Sequence, residues 1–104
     1  METIDLNALK KFSPEGPVKQ FLQDTPEMKM ALLCMEAGQE IPPHGAPARV
    51  MMQVLDGEGE FTLGNKKRKG IAGNLLLCNP DEPHGVRAVT RLTVLAVVAP
   101  NPGH

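Results

Sequence analysis

Gly38-Gln39-Glu40-Ile41-Pro42-Pro43-His44-Gly45 ends on a histidine delivered by two prolines, and Asn79-Pro80-Asp81-Glu82-Pro83-His84-Gly85 repeats that arrangement later in the chain. Proline fixes φ and cannot continue a helix, so each approach is held extended. An imidazole presented on a stiffened backbone has little conformational entropy left to lose, as a preorganised ligand group requires. The third histidine, His104, is the last residue, where ordering is not expected.

Outward from these stretches the chain divides into short apolar runs. Ten glycines and ten prolines are spread along 104 residues. They are too dispersed for a low-complexity tract and read as turn punctuation. The runs between them are Val18 to Leu22, Met28 to Met35, Arg49 to Leu55, Glu60 to Leu63, Ile71-Ala72, Leu75 to Cys78, Val86 to Val89 and Leu92 to Ala99. Their lengths and spacing predict about eight strands in an all-β fold, an antiparallel sandwich or small barrel. Asp56-Gly57-Glu58-Gly59 predicts a hairpin joining the strand that ends at Leu55 to the next. Leu92 to Ala99 is apolar without a break and is expected to be buried on both faces. Only the first dozen residues leave room for a helix, which Asp5 caps and which runs through Leu6, Leu9 and Phe12 before Pro14.

Composition narrows the function classes. A chain this short buries roughly 60–68% of its unfolded surface, enough for one modest core and one domain. The formal charge is -1, with no Trp, no Tyr and three Phe, so both a phosphate-binding face and base-stacking platforms are missing and nucleic acid is not an expected partner. No apolar run approaches the roughly 20 residues that cross a bilayer. Glu2, Asp5 and Glu15 interrupt the N-terminal region, so no membrane association and a cytoplasmic location are expected. Cys34 and Cys78 lack the close spacing of a zinc or redox pair and read as free, buried thiols. Lys66-Lys67-Arg68-Lys69 reads as a solvated hairpin tip.

With these residues placed, the chain resembles the cupins. The first cupin motif is a glycine, five residues, His-x-His, three or four residues, a glutamate, six residues and a glycine. Here Gly38 and His44 open the motif and Gly57 closes it, with Ala46 where the second histidine belongs and Val50 where the glutamate belongs. The second motif, a glycine, a strand, a proline-rich turn and a histidine, is matched by Gly73, Leu75 to Cys78 and the turn into His84; Asn79 takes a usual proline position and Asp81 a usual glycine position. The resemblance runs from about Met28 to Pro100. It implies a double-stranded β-helix, or jelly-roll barrel, over residues 28–100, preceded by an arm over 1–27 with a short helix and an edge strand. Residues 101–104 are expected to form a flexible tail. Small cupins also suggest a homodimer, with the N-terminal strand and the outer sheet face against the partner.

A full cupin metal site uses three histidines and one glutamate, of which residue-by-residue carry-over leaves His44 and His84. A divalent ion normally takes at least three protein ligands. Alternation from His44 places Ala46, Val50, Met52 and Val54 inward and Gln53 outward, so no third ligand is evident; Cys78 could face inward, but its run Leu75 to Cys78 is apolar throughout and gives no register. Two readings stay open: the pair holds a divalent metal (Zn, Ni, Fe or Mn), or it lines a pocket with no metal. The matching functions are a module that binds a small-molecule ligand in a Met- and Leu-lined cavity, with His44 and His84 as polar handles, and a metal-dependent enzyme, a dioxygenase or isomerase. Loss of two ligand positions favours the binding module. Met52 belongs to the expected pocket. Arg49 and Arg87 follow the two histidines, and each either meets a carboxylate at the barrel mouth or is a surface residue by chance. Met28, Met30, Met35, Met51 and Met52, with the two cysteines, are soft enough for copper(I), though flexible packing is the simpler reading. Glu36, Glu40, Asp81 and Glu82 form no recognisable acid-base pair.

Overall fold

The computed structural model describes residues 2–103. Among the described residues there is one helical turn, α1 (Leu6–Leu9), followed by β1 (Val18–Asp24), β2 (Lys29–Met35), β3 (Glu40–His44), β4 (Arg49–Asp56), β5 (Glu58–Leu63), β6 (Lys66–Ile71), β7 (Leu75–Cys78), β8 (His84–Ala88) and β9 (Leu92–Ala99). The strands form two facing antiparallel sheets, ordered β1-β2-β9-β4-β7 and β3-β8-β5-β6. This is the expected all-β jelly roll. Among the described residues no helix is long and apolar enough to cross a membrane.

The core follows from period-two alternation. Ala31, Leu33 and Met35 of β2, Val50, Met52 and Val54 of β4, Leu76 and Cys78 of β7, and Leu92 and Val94 of β9 point inward from the larger sheet. Phe61, Val86 and Ala88 meet them from the smaller one. Phe61, Met35 and Leu92 are fully buried, and burial of each contributes roughly 1.5–3 kcal/mol. They fill one end of the barrel.

The expected Asp56-Gly57 hairpin does not form. β4 and β5 belong to different sheets, and Gly57 is the corner at which the chain leaves one for the other. Its φ is +85°, and a Cβ there would lie inside contact distance of the Arg91 carbonyl oxygen and 3.0 Å from Thr90 Oγ1. An Asp-Gly pair encodes a positive-φ turn; which strand pairs across it depends on the whole sheet. The same crossover corrects the alternation counted from His44, because β3 and β4 also lie in different sheets. Val50, Met52 and Val54 nevertheless point inward.

Four further expectations change. The helix is one turn, with Asp5 accepting from the amides of Asn7 and Ala8, and Phe12 lies beyond it. The basic run is a strand: β6 pairs with β5 along the sheet edge, the turn falls at Gly64-Asn65, and Lys67 and Lys69 face Glu60 and Glu58 at 3.5 and 3.6 Å. Its exposed charges protect the edge from further pairing. β9 is buried on both faces only at Leu92, Thr93 and Val94. Finally, the chain end is anchored at Asn101, which is buried and donates to Asp24 Oδ1 and the Thr25 carbonyl. The expectation for His104 lies outside the described residues.

The N-terminal arm covers part of the larger sheet's outer face. Leu32 and Cys34 point away from the core by alternation, yet both are fully buried. The arm is tied to this region by Lys10 with Asp56, Gln20 with the Leu9 carbonyl, and the Arg91 guanidinium 4.3 Å from the Phe12 ring centroid. Arg91 in turn makes a two-point pair with Glu36, which lowers the carboxyl's proton affinity. Away from the arm the same face is open, with Leu75 and Leu77 exposed.

Candidate functional site

The histidines meet because of a bulge. β3 is a sheet edge, where Pro42 and Pro43 cost no ladder bond. Between Ile41 and His44 the register slips: Ile41 is opposite Val86 and His44 is opposite His84, three residues on one strand against two on the other. Ile41 and His44 would otherwise face opposite ways; the extra residue turns both into the barrel. Gly85 permits the close approach, since a Cβ there would sit 2.8 Å from the Ile41 carbonyl oxygen and from Pro43 N. His44 and His84 are thus cross-strand neighbours, with ring centroids 4.4 Å apart and planes tilted by 57°.

Each ring is also tethered to its own turn. Nδ1 of His44 lies 3.2 Å from the Pro42 carbonyl and Nδ1 of His84 3.4 Å from that of Glu82. A carbonyl only accepts, so in each of these contacts Nδ1–H is the donor, and in a neutral ring Nε2 is then free to accept. Burial lowers the proton affinity of His84, the Glu82 carbonyl opposes this, and the neighbouring His44 adds to the lowering. Burial therefore favours the neutral form of the His84 ring.

The pair lines one end of a cavity of about 200 Å³ in the half of the barrel that the core leaves open. Its walls are apolar, including Ile41, Val50, Met52, Val86, Ala96 and Val98. Of the expected pocket residues, His44, His84 and Met52 line this space together, whereas the two arginines do not. Arg49 points outward from β4 and donates to Asn79 Oδ1 at 2.8 Å. Arg87 is exposed on β8 between inward-facing Val86 and Ala88. The cations that do reach the cavity are Lys19 and Lys29, with Phe21 between them on the β1/β2 edge. Sequence reasoning missed all three; the available signal was Lys-x-Phe on an edge strand, which carries no face until β1 is paired.

The donor set does not fit a three-histidine, one-glutamate centre. Val50, at the glutamate's position, is a buried cavity wall. Ala46 lies in the β3–β4 loop, where its carbonyl accepts from the Asp81 amide. Among the described residues no three His, Cys, Asp or Glu side chains converge as a metal site. The soft residues are dispersed too, with Met35 and Met52 in the core and Cys34 on the opposite face of its strand. Cys78 points inward, and burial raises its thiol pKa. Asp81, at a usual glycine position, has φ +66°, a left-handed conformation that aspartate tolerates better than most residues.

The cupin-domain family model (Cupin_2) matches residues 31–98, most of the barrel and both histidine turns. The chain is a cupin. Among solved structures, this cupin is 32% identical to an RmlC-like cupin protein from Desulfovibrio desulfuricans, with a TM-score of 0.88 over 96% of this chain and 97% of that one. It is 27% identical to the TT1209 protein from Thermus thermophilus, with a TM-score of 0.92 over 98% and 100% of the two chains. KdgF from Halomonas sp. shares the fold at 21% identity, with a TM-score of 0.77 over 85% and 82%. No curated protein matches this cupin.

Proposed function

We propose that this cupin binds a small molecule inside its barrel, using the Nε2 atoms of His44 and His84 as acceptors and the apolar walls as the source of affinity, without a resident four-ligand metal centre. The observation that carries this reading is the cavity itself: about 200 Å³, apolar on most sides, with two tethered imidazoles at one end. Such a site matches the usual make-up of a ligand pocket, mostly hydrophobic with a few convergent polar groups. The enzyme reading has less support, because only two donors remain where a divalent ion requires more.

A fragment screen by protein-observed NMR tests this proposal. Hits should perturb Met52, Val86 and Ala96 together; Ala96→Leu, which fills the cavity, should abolish them, and His84→Gln should weaken the hits that donate a hydrogen bond. Fragments that bind only outside this set would overturn the proposal. Elemental analysis of untagged protein addresses the metal: near-stoichiometric metal that is lost in both His44→Ala and His84→Ala would overturn the metal-free part.

A further inference from the structure

The cavity's charges are of one sign. By register Lys19 lies opposite Leu33, Phe21 opposite Ala31 and Lys29 opposite Val98, so all three share the inward face of the larger sheet. Lys19 lies on the edge strand β1 and Lys29 on β2, which is paired on both sides, and both point in beside apolar walls. Among the described residues that line the cavity there is no Asp or Glu, and neither lysine forms an ion pair with a described residue, although Asp24, which accepts from Asn101, is the cross-strand neighbour of Lys29. Lys29 instead lies 4.7 Å from the Phe21 ring centroid, a contact that leaves its N–H donors free to point elsewhere. Phe21 itself is 58% exposed at the rim.

We propose that the ligand is a small organic carboxylate whose anionic group is held by Lys19 and Lys29 at the rim and whose hydrocarbon body lies along Ala31, Met52, Val86 and Val98. The proposal deepens the binding reading above and rests on it. A neutral ligand gains nothing from the charge of the two ammonium groups, and an ammonium ligand is repelled by them. A carboxylate accepts two charge-assisted hydrogen bonds, roughly twice as strong as neutral ones. Size sets the body: an apolar cavity of about 150 Å³ accepts benzene, so this one suits a molecule of roughly six to ten non-hydrogen atoms. A bulkier anion, or one lacking a hydrocarbon body, would leave the apolar walls unused.

Calorimetric titration of the full chain with hexanoate, hexanamide and hexylammonium, and with benzoate against benzamide, provides the test. The carboxylates should bind about tenfold more tightly than their amides, and hexylammonium should bind least. The paired change Lys19→Gln with Lys29→Gln should remove that preference and leave the amides unchanged, with the urea-unfolding midpoint reporting that the variant is folded. Added salt should weaken the carboxylates alone. Amides that bind as tightly as carboxylates, or a preference that survives the double change, would overturn the carboxylate inference while the cavity reading stands. Binding of none of the five probes would likewise overturn the carboxylate inference, and the fragment screen above then decides the cavity reading by itself.

Discussion

Gly57→Ala is the sharpest test of the sheet-to-sheet corner. The backbone there has φ +85°, for which an L side chain costs roughly 1–2 kcal/mol. A methyl group would also press on the Arg91 carbonyl oxygen, with the Arg91 carbonyl carbon and Thr90 Oγ1 each 3.0 Å away. That carbonyl is backbone and cannot swing aside as a side-chain tip can. Relief must move the 90–91 turn away from β5, where the Glu58 amide donates to Thr90 Oγ1 and the Glu58 carbonyl accepts from the Val89 and Thr90 amides. Losing two of these three bonds adds about 2 kcal/mol. The expected destabilisation is therefore about 3–4 kcal/mol, a large share of the 5–15 kcal/mol that a domain normally has. Gly73→Ala supplies the control: its φ is +94°, but a Cβ there meets nothing within 4 Å. It should lose only the conformational part. Urea unfolding monitored by circular dichroism gives both numbers. If the two variants lose the same stability, the close contact at Gly57 is not what fixes the corner.

Other expectations concern groups buried by the tertiary structure. Burial holds the proton affinity of His84 below that of an unfolded histidine, so unfolding takes up a proton once the pH falls below about 6.5. Stability should be flat above that value, fall as the pH drops toward the folded pKa and level off beneath it; in urea titrations across this range His84→Gln should remove that part of the slope. Cys34 and Cys78 should both resist thiol reagents in the intact chain, whereas deletion of residues 2–13 should expose Cys34 alone, which timed labelling and mass spectrometry would reveal. Asn101→Ala should cost about 1–3 kcal/mol in thermal or urea unfolding, because it strands a buried cluster with Asp24, Thr25 and Gly103.

Local chemistry made much of the fold legible. Short apolar runs between breakers read as strands because a strand's signal is carried within a few residues. Gly38, Gly57, Gly73 and the two proline-led histidines supplied the motif order from which the barrel follows. The hairpin reading at Asp56-Gly57 failed because a positive-φ turn specifies how the chain bends and not which edge it then joins. The basic run was misplaced for a similar reason: charge marks a solvent-facing position but does not distinguish a turn from an exposed edge strand such as β6.

At the site the division is sharper. The sequence by itself determined that His44 and His84 would sit on stiffened approaches and that Ala46 and Val50 could not ligate a metal, since these follow from residue identity. Only the tertiary structure decided that the two imidazoles face each other, because that depends on the one-residue slip between Ile41 and His44. It also decided that the cavity's cations are Lys19 and Lys29 and not Arg49 and Arg87. A side chain's face is set by strand pairing, and a shift of one residue sends it to the opposite side of the sheet.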